Sequence, residues 1–111
     1  MLFLDWKNGA EQNVVMWHYL AWPDIGTPTD PWTLVEIIHS LKEMEPNCTI
    51  VHCSNGAGRT GIFIALKQLI DKILSKAESL NVFQTVLDLR KDRKFMVKIH
   101  ILLKVWSTMN F

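Results

Sequence analysis

At 111 residues the chain has room for one small domain, and 49% hydrophobic against 21% charged residues suits a packed core rather than disorder. A formal net charge of +1 gives no general attraction to nucleic acid or to a membrane surface, and no stretch approaches the length and apolarity of a membrane span. The opening MLFLDW is too short an apolar run for a signal peptide and has no basic residues ahead of it. Cys48 and Cys53, five apart on one predicted strand, point to opposite faces and cannot bridge each other, so a reduced, cytoplasmic chain is expected. His18, His39, His52 and His100 show no ligand-like spacing with one another or with the cysteines, so no metal site is expected.

In chain order, Leu2 to Trp6 and Asn13 to Tyr19 both have strand character, with Asn8-Gly9 between them as a hairpin signal. NVVMWHY is rich in β-branched and aromatic residues and is predicted to be a central strand. Ala21 to Pro31, AWPDIGTPTDP, reads as a loop: Pro23, Pro28 and Pro31 each remove a backbone donor and Gly26 leaves a pivot. By composition it is either a connector in which Trp22 packs and Asp24 makes an Asx-turn, or a stiffened segment that swings as one piece. A helix is then expected, capped by Asp30 with Pro31 in its first turn. Its stripe of Leu34, Ile37, Ile38, Leu41 and Met44 ends at Pro46 and Asn47.

The apolar run CTIVHC, Cys48 to Cys53, reads as a strand and leads into VHCSNGAGRTG, Val51 to Gly61. Gly56 and Gly58 lie between that strand and a helical pattern beginning near Arg59, and Cys53 and Arg59 are six positions apart. A loop of this length at a helix N-terminus can turn several backbone N–H groups toward one point and make an anion cradle. Such a field lowers a cysteine pKa from its usual ~8.5 and favours the thiolate. Arg59 adds a planar fork that pairs with two phosphate oxygens. A nucleophile beneath a phosphate-sized nest is equipped for phosphoryl transfer through a phosphocysteine. His52, as a strand histidine, is either a satisfied core residue or a support for the field at Cys53.

The following helix carries Ile62, Ala65, Leu66, Leu69, Ile70 and Ile73 inward, completing a helix-strand-helix unit. His39 and the Lys67, Asp71 and Lys72 face are read as solvated. Ser75 to Asn81 is a loop with Asn81 as N-cap, VFQTVLDLRKDR is an amphipathic helix with Val82, Val86 and Leu89 inward, and FMVKIHILLKVWSTM is a further helix.

The loop VHCSNGAGRTG resembles the phosphate-binding loop of the protein tyrosine phosphatases, whose usual form is VHCSAGxGRTG; only Asn55 departs from it. Trp22-Pro23-Asp24 followed by Gly26 and Pro28 resembles the mobile acid loop of that family, 29 positions before Cys53. The resemblance implies a phosphate nest of Cys53, Ser54, Asn55, Gly56, Ala57, Gly58 and Arg59, with Asp24 as general acid and then as base. It also implies that the Thr60 hydroxyl assists departure of the thiolate, with His52, Trp22 and Pro23 in support. The helix-strand-loop-helix order reads as α/β architecture, and the resemblance implies a partial phosphatase-like mixed β-sheet flanked by helices with the loop joining strand to helix. It implies a phosphotyrosine-containing protein as substrate and no cofactor.

Residues 1–111 correspond to the C-terminal portion of the family's domain, from the hairpin before the acid loop onward. LDLRKDRKFMV resembles the family segment LRxQRxxMVQT: Arg90, Arg93, Met96 and Val97 agree. Lys98 stands in place of the glutamine that positions the hydrolytic water, and Leu102 in place of a second. A lysine only donates, where the amide both donates and accepts. The expected alternative to a working phosphatase is therefore a catalytically impaired pseudophosphatase that binds phosphotyrosine or a partner protein. If the family sheet is retained without its N-terminal strands, its edge and face are exposed, with Trp6, Trp17, Trp32 and Trp106 partly uncovered. A protein partner or a second copy would then cover them.

Overall fold

The computed structural model describes residues 2–3, 15–23, 26–44, 49–54 and 56–109. Its elements run β1 (Leu2–Phe3), α1 (Pro31–Met44), β2 (Thr49–Ile50), α2 (Gly58–Leu74), α3 (Val82–Asp92) and α4 (Ile99–Met109).

Helix α1 starts where the sequence places it. The two carboxylate oxygens of Asp30 accept from the Trp32 N–H at 3.1 Å and from the Thr33 hydroxyl at 3.0 Å, and Pro31 opens the first turn without needing a partner for a missing N–H. Leu34, Ile37, Ile38 and Leu41 are buried, whereas Met44 is exposed. The expected stop at Pro46 and Asn47 lies outside the described residues.

Helix α2 is the centre of the molecule and touches each of the other three helices. Ala65, Leu66 and Leu69 on it are completely buried, and Ile73, expected inward, is instead exposed near the C-terminal end. The solvated face is as expected: Lys67 reaches Asp71 across one turn at 2.8 Å, and exposed His39 on α1 reaches Glu43 at 3.2 Å. Helix α3 is capped by Asn81, whose side chain accepts from the Gln84 N–H at 3.0 Å. Val86 and Leu89 are buried with Thr85 beside them, and Val82 is half-buried.

Helix α4 begins at Ile99, four residues later than the apolar run predicts. Phe95 and Val97 have φ of 66° and 67°, in the left-handed region that ends a helix. The cause is a side chain from α3. Arg90 donates from Nε to the Met96 carbonyl at 2.9 Å and from Nη2 to the Val97 carbonyl at 2.8 Å, drawing both toward its guanidinium and away from a helical ladder. The Lys98 carbonyl then accepts from Ile101 and Leu102 and starts α4.

The expected mixed β-sheet flanked by helices is not found, and the fold is predominantly α-helical. Among the described residues the ladder is one antiparallel pair, Leu2 with Ile50 and Phe3 with Thr49. NVVMWHY is not a central strand where it is described: Met16 forms a lone bridge, and 17–20 have no regular secondary structure, nor have 51–53. A helix satisfies its backbone within itself, whereas a strand needs a neighbour. Trp17, Tyr19 and Val51 are instead held by packing their side chains against the helical core. The unit α1-β2-loop-α2 is present in order, with a two-residue strand in place of the six-residue run.

The apolar exposure expected of a bare sheet occurs on single side chains instead. Leu20, Phe95, Met16 and Phe83 are the most exposed large apolar residues, and Trp32 is also exposed, while Trp17 and Trp106 are half-buried. Trp6 lies outside the described residues. No helix among the described residues is long and apolar enough to cross a membrane.

Candidate functional site

Residues 51–54 follow β2, the chain turns through Gly56 at a φ of +68°, and α2 begins at Gly58. This sets Arg59 and Thr60 in the first turn of α2, on the same cavity as Cys53 and Ser54. Helix dipole and turn together face this junction with the positive end of α2, which has no acidic residue in its first turn.

Arg59 joins two segments far apart in sequence. Its Nη2 donates to the Ser54 hydroxyl at 2.9 Å and its Nη1 to the Trp22 carbonyl at 3.1 Å. Trp22 is buried, and its indole N–H donates to the Gly26 carbonyl at 3.2 Å. Cys53 is half-buried. It lines a cavity of 480 Å³ together with Ser54, Arg59, Thr60, Trp22 and His52. Thr60 is buried, and its hydroxyl has no hydrogen-bond partner in the structure.

The structure therefore brings Cys53, Ser54, Arg59, Thr60, His52 and Trp22 to one cavity. His52 is exposed there, which rules out the satisfied-core reading of that residue. Gly58 lines an adjoining cleft of 150 Å³ with Ser54, Arg59, Trp22 and Lys98. Gly56 and Ala57 are not among the residues lining either space, and their carbonyls accept from Arg93 and from Val97. Pro23 is exposed. Asp24, Asn55 and Cys48 lie outside the described residues.

Two arginines on the opposite side of the loop carry its support. Arg93 donates from Nη1 to the Gly56 carbonyl at 3.0 Å, and the Val97 N–H donates to the Ala57 carbonyl at 3.1 Å. Val97 is itself fixed by Arg90, so the α3–α4 turn buttresses the loop from behind. Gly61 permits the close approach: a Cβ there would lie 2.8 Å from the Val97 nitrogen. Arg90 and Arg93 stand out in LDLRKDRKFMV only as an agreement with a family segment, and nothing local in that segment signals the Arg90 targets six and seven positions on or the Arg93 target 37 positions back.

Among the described residues no group of three or more His, Cys, Asp or Glu side chains is placed to hold a metal ion. One carboxyl is clearly displaced from its ordinary pKa. Asp88 on α3 is lowered, first by the Gln84 side-chain amide that donates to it at 2.9 Å and then by Lys91.

A thiol, a guanidinium and a hydroxyl around one cavity at a helix N-terminus can hold a tetrahedral oxyanion and attack its central atom. The family model for protein-tyrosine phosphatase matches residues 2–109. Receptor-type tyrosine-protein phosphatase alpha of Homo sapiens is 35% identical over 103 residues, which cover 88% of this chain and 13% of that protein. Receptor-type tyrosine-protein phosphatase epsilon of Rattus norvegicus is 39% identical over 90 residues, 77% of this chain and 13% of that protein. Tyrosine-protein phosphatase 69D of Drosophila melanogaster is 36% identical over 90 residues, 78% of this chain and 6% of that protein. The chain thus spans at most 13% of the length of these three relatives. Matched by the family model over nearly its whole length, the chain belongs to the protein-tyrosine phosphatase family.

Proposed function

We propose that the chain removes phosphate from phosphotyrosine in proteins through a phosphocysteine on Cys53, as the C-terminal portion of a phosphatase domain. The observation that carries this reading is the double hold of Arg59, which joins Ser54 beside the cysteine to the Trp22 end of the Asp24 segment. In the first step the Cys53 thiolate attacks phosphorus while the backbone nest and Arg59 hold the equatorial oxygens. The phosphorus–oxygen bond to the tyrosyl group breaks, and the Asp24 carboxyl gives its proton to the departing phenolate. In the second step Asp24 takes a proton from water, the resulting hydroxide forms the new bond to phosphorus, and the thiolate leaves, assisted by the Thr60 hydroxyl. Neither metal nor cofactor enters. The setting that fits is the cytoplasm, with a phosphoprotein substrate and a partner or second copy over the exposed apolar side chains.

A second reading is favoured by one observation. Lys98 lines the cleft beside Arg59, where an amide would hold the hydrolytic water. On that reading the chain captures phosphotyrosine and turns over little.

A pre-steady-state assay with a phosphotyrosyl peptide tests both. The expected result is a burst of one equivalent of dephosphorylated peptide per chain followed by slower turnover, abolished by Cys53→Ser and slowed by Asp24→Ala. A burst without turnover establishes the second reading. Absence of any burst, with a Cys53 thiol no more reactive toward iodoacetate than glutathione, overturns both.

A further inference from the structure

The 480 Å³ cavity reaches from Cys53 into the body of the molecule, where buried Leu34 of α1 and buried Phe63 of α2 form part of its wall. Three more rings line it, Trp17, Tyr19 and Trp22, and the last two meet edge-on at a centroid distance of 6.3 Å. The volume falls within the roughly 300–1,000 Å³ of small-molecule sites. Aromatic walls around such a space suit a flat ring, which gains from edge and face contacts beyond the area it buries.

One polar group on this wall is left over. Thr60 is 5% exposed and lines the cavity, and its hydroxyl has no hydrogen-bond partner. A threonine in a helix ordinarily turns its hydroxyl back to the carbonyl one turn earlier. Thr85 does so to the Asn81 carbonyl at 3.0 Å, and Thr108 to the Lys104 carbonyl at 2.9 Å. One turn before Thr60 stands Gly56, in the left-handed turn ahead of α2, and its carbonyl accepts from Arg93 instead. The arginine that holds the loop thus occupies the local partner of Thr60. A buried hydroxyl that has given up water without replacing it is expected where a ligand supplies the missing bond.

We propose that this cavity binds a neutral aromatic molecule of the phenol type, its ring among the aromatic walls and its polar atom on the Thr60 hydroxyl. Thr60, Leu34 and the four rings carry no charge, which favours neither an anion nor a cation at this end of the cavity. The charged end belongs to Arg59, already engaged with Ser54 and Trp22. The inference goes beyond the phosphatase reading and does not rest on it, since it needs a hydroxyl and ring walls but no reactive thiolate.

The test is titration of the 111-residue chain with phenol, followed by NMR at the Thr60 and Phe63 amides, with toluene as the ring of like shape that lacks a hydroxyl. Saturable shifts are expected there with both, phenol binding about tenfold more tightly, the scale of one hydrogen bond to a group otherwise unpaired. Thr60→Val is expected to bring phenol down to the affinity of toluene and to leave toluene unchanged, while Thr60→Ser keeps the preference for phenol. Melting curves without ligand show that each variant is folded. Equal phenol affinity in wild type and Thr60→Val overturns the proposal. So do shifts confined to Gly56–Gly58, which would place phenol on the loop, and the absence of saturable binding in the wild type.

Discussion

Tyr19 and Asp30 hold each other twice: the phenol donates to the Asp30 carbonyl at 2.8 Å and accepts from the Asp30 N–H at 3.2 Å. Between them the Thr29 N–H donates to the Ala21 carbonyl at 2.7 Å, so the segment from Ala21 to Thr29 is pinched at its base. The Tyr19 ring also meets Trp22 edge-on at a centroid distance of 6.3 Å. The pinch fixes where the segment leaves and re-enters the body. Tyr19→Phe keeps the ring contact and removes both hydrogen bonds. It is expected to lower stability by about 1 kcal/mol, read from the urea midpoint, because the bonds are exposed. The burst rate should fall as the ends of the loop loosen, with the alkylation rate of Cys53 unchanged.

Thr60 separates stability from chemistry. Its hydroxyl is buried without a partner, which costs the folded state about 1–3 kcal/mol of desolvation. Thr60→Val keeps the shape and removes the orphan group. The melting temperature is expected to rise, and breakdown of the phosphocysteine to slow, in single-turnover measurements. A variant that is more stable and equally fast would remove Thr60 from the mechanism.

Arg90 is the residue that sets the α3–α4 turn. Arg90→Met keeps much of the aliphatic bulk and forfeits two charge-assisted bonds to the Met96 and Val97 carbonyls. A loss of about 2–3 kcal/mol is expected. Amide hydrogen exchange at Val97, which donates to Ala57 in the wild type, should accelerate more than exchange in α1.

Gly61→Ala places a methyl group against backbone. With the Val97 nitrogen 2.8 Å and its Cγ2 2.9 Å from the new carbon, the turn must move off α2, at about 1–3 kcal/mol. Gly56→Ala meets the end of the Arg93 side chain instead, which can swing away, but the left-handed φ of +68° remains at ~1–2 kcal/mol. Chemical denaturation of the two variants checks both values. The Gly56 variant should lose phosphate affinity as Arg93 lets go of the loop.

The titration of Asp88 is a purely local prediction. Its folded-state pKa lies below the ordinary carboxylate value, chiefly through the Gln84 amide, so the stabilisation it gives is present above the unfolded value and is lost as pH falls through the folded one. Gln84→Met is expected to bring the Asp88 titration up toward the ordinary value in a carbon-detected NMR experiment, with no effect on catalysis.

What the residues determined by themselves was whatever depends on near neighbours. Asp30 caps α1 and Asn81 caps α3 because a short polar side chain at the right offset reaches the N–H two or three positions on, and the stripes Leu34 to Leu41 and Ile62 to Ile70 face inward because helical spacing puts them on one side. The spacing of Cys53, Gly56 and Arg59 was equally legible, since a strand-turn-helix loop is a local object. Tertiary structure decided the rest. Whether a β-prone segment becomes sheet depends on ladder partners that it cannot supply alone: among the described residues Thr49 and Ile50 find one in Leu2–Phe3, while Trp17, Tyr19 and Val51 pack against the helical core instead. The late start of α4, the grip of Arg93 on Gly56 and the tie from Arg59 to Trp22 join residues that only folding brings together. Local propensity has no term for a guanidinium arriving from another helix, and here that guanidinium fixes where α4 begins and how the loop is held.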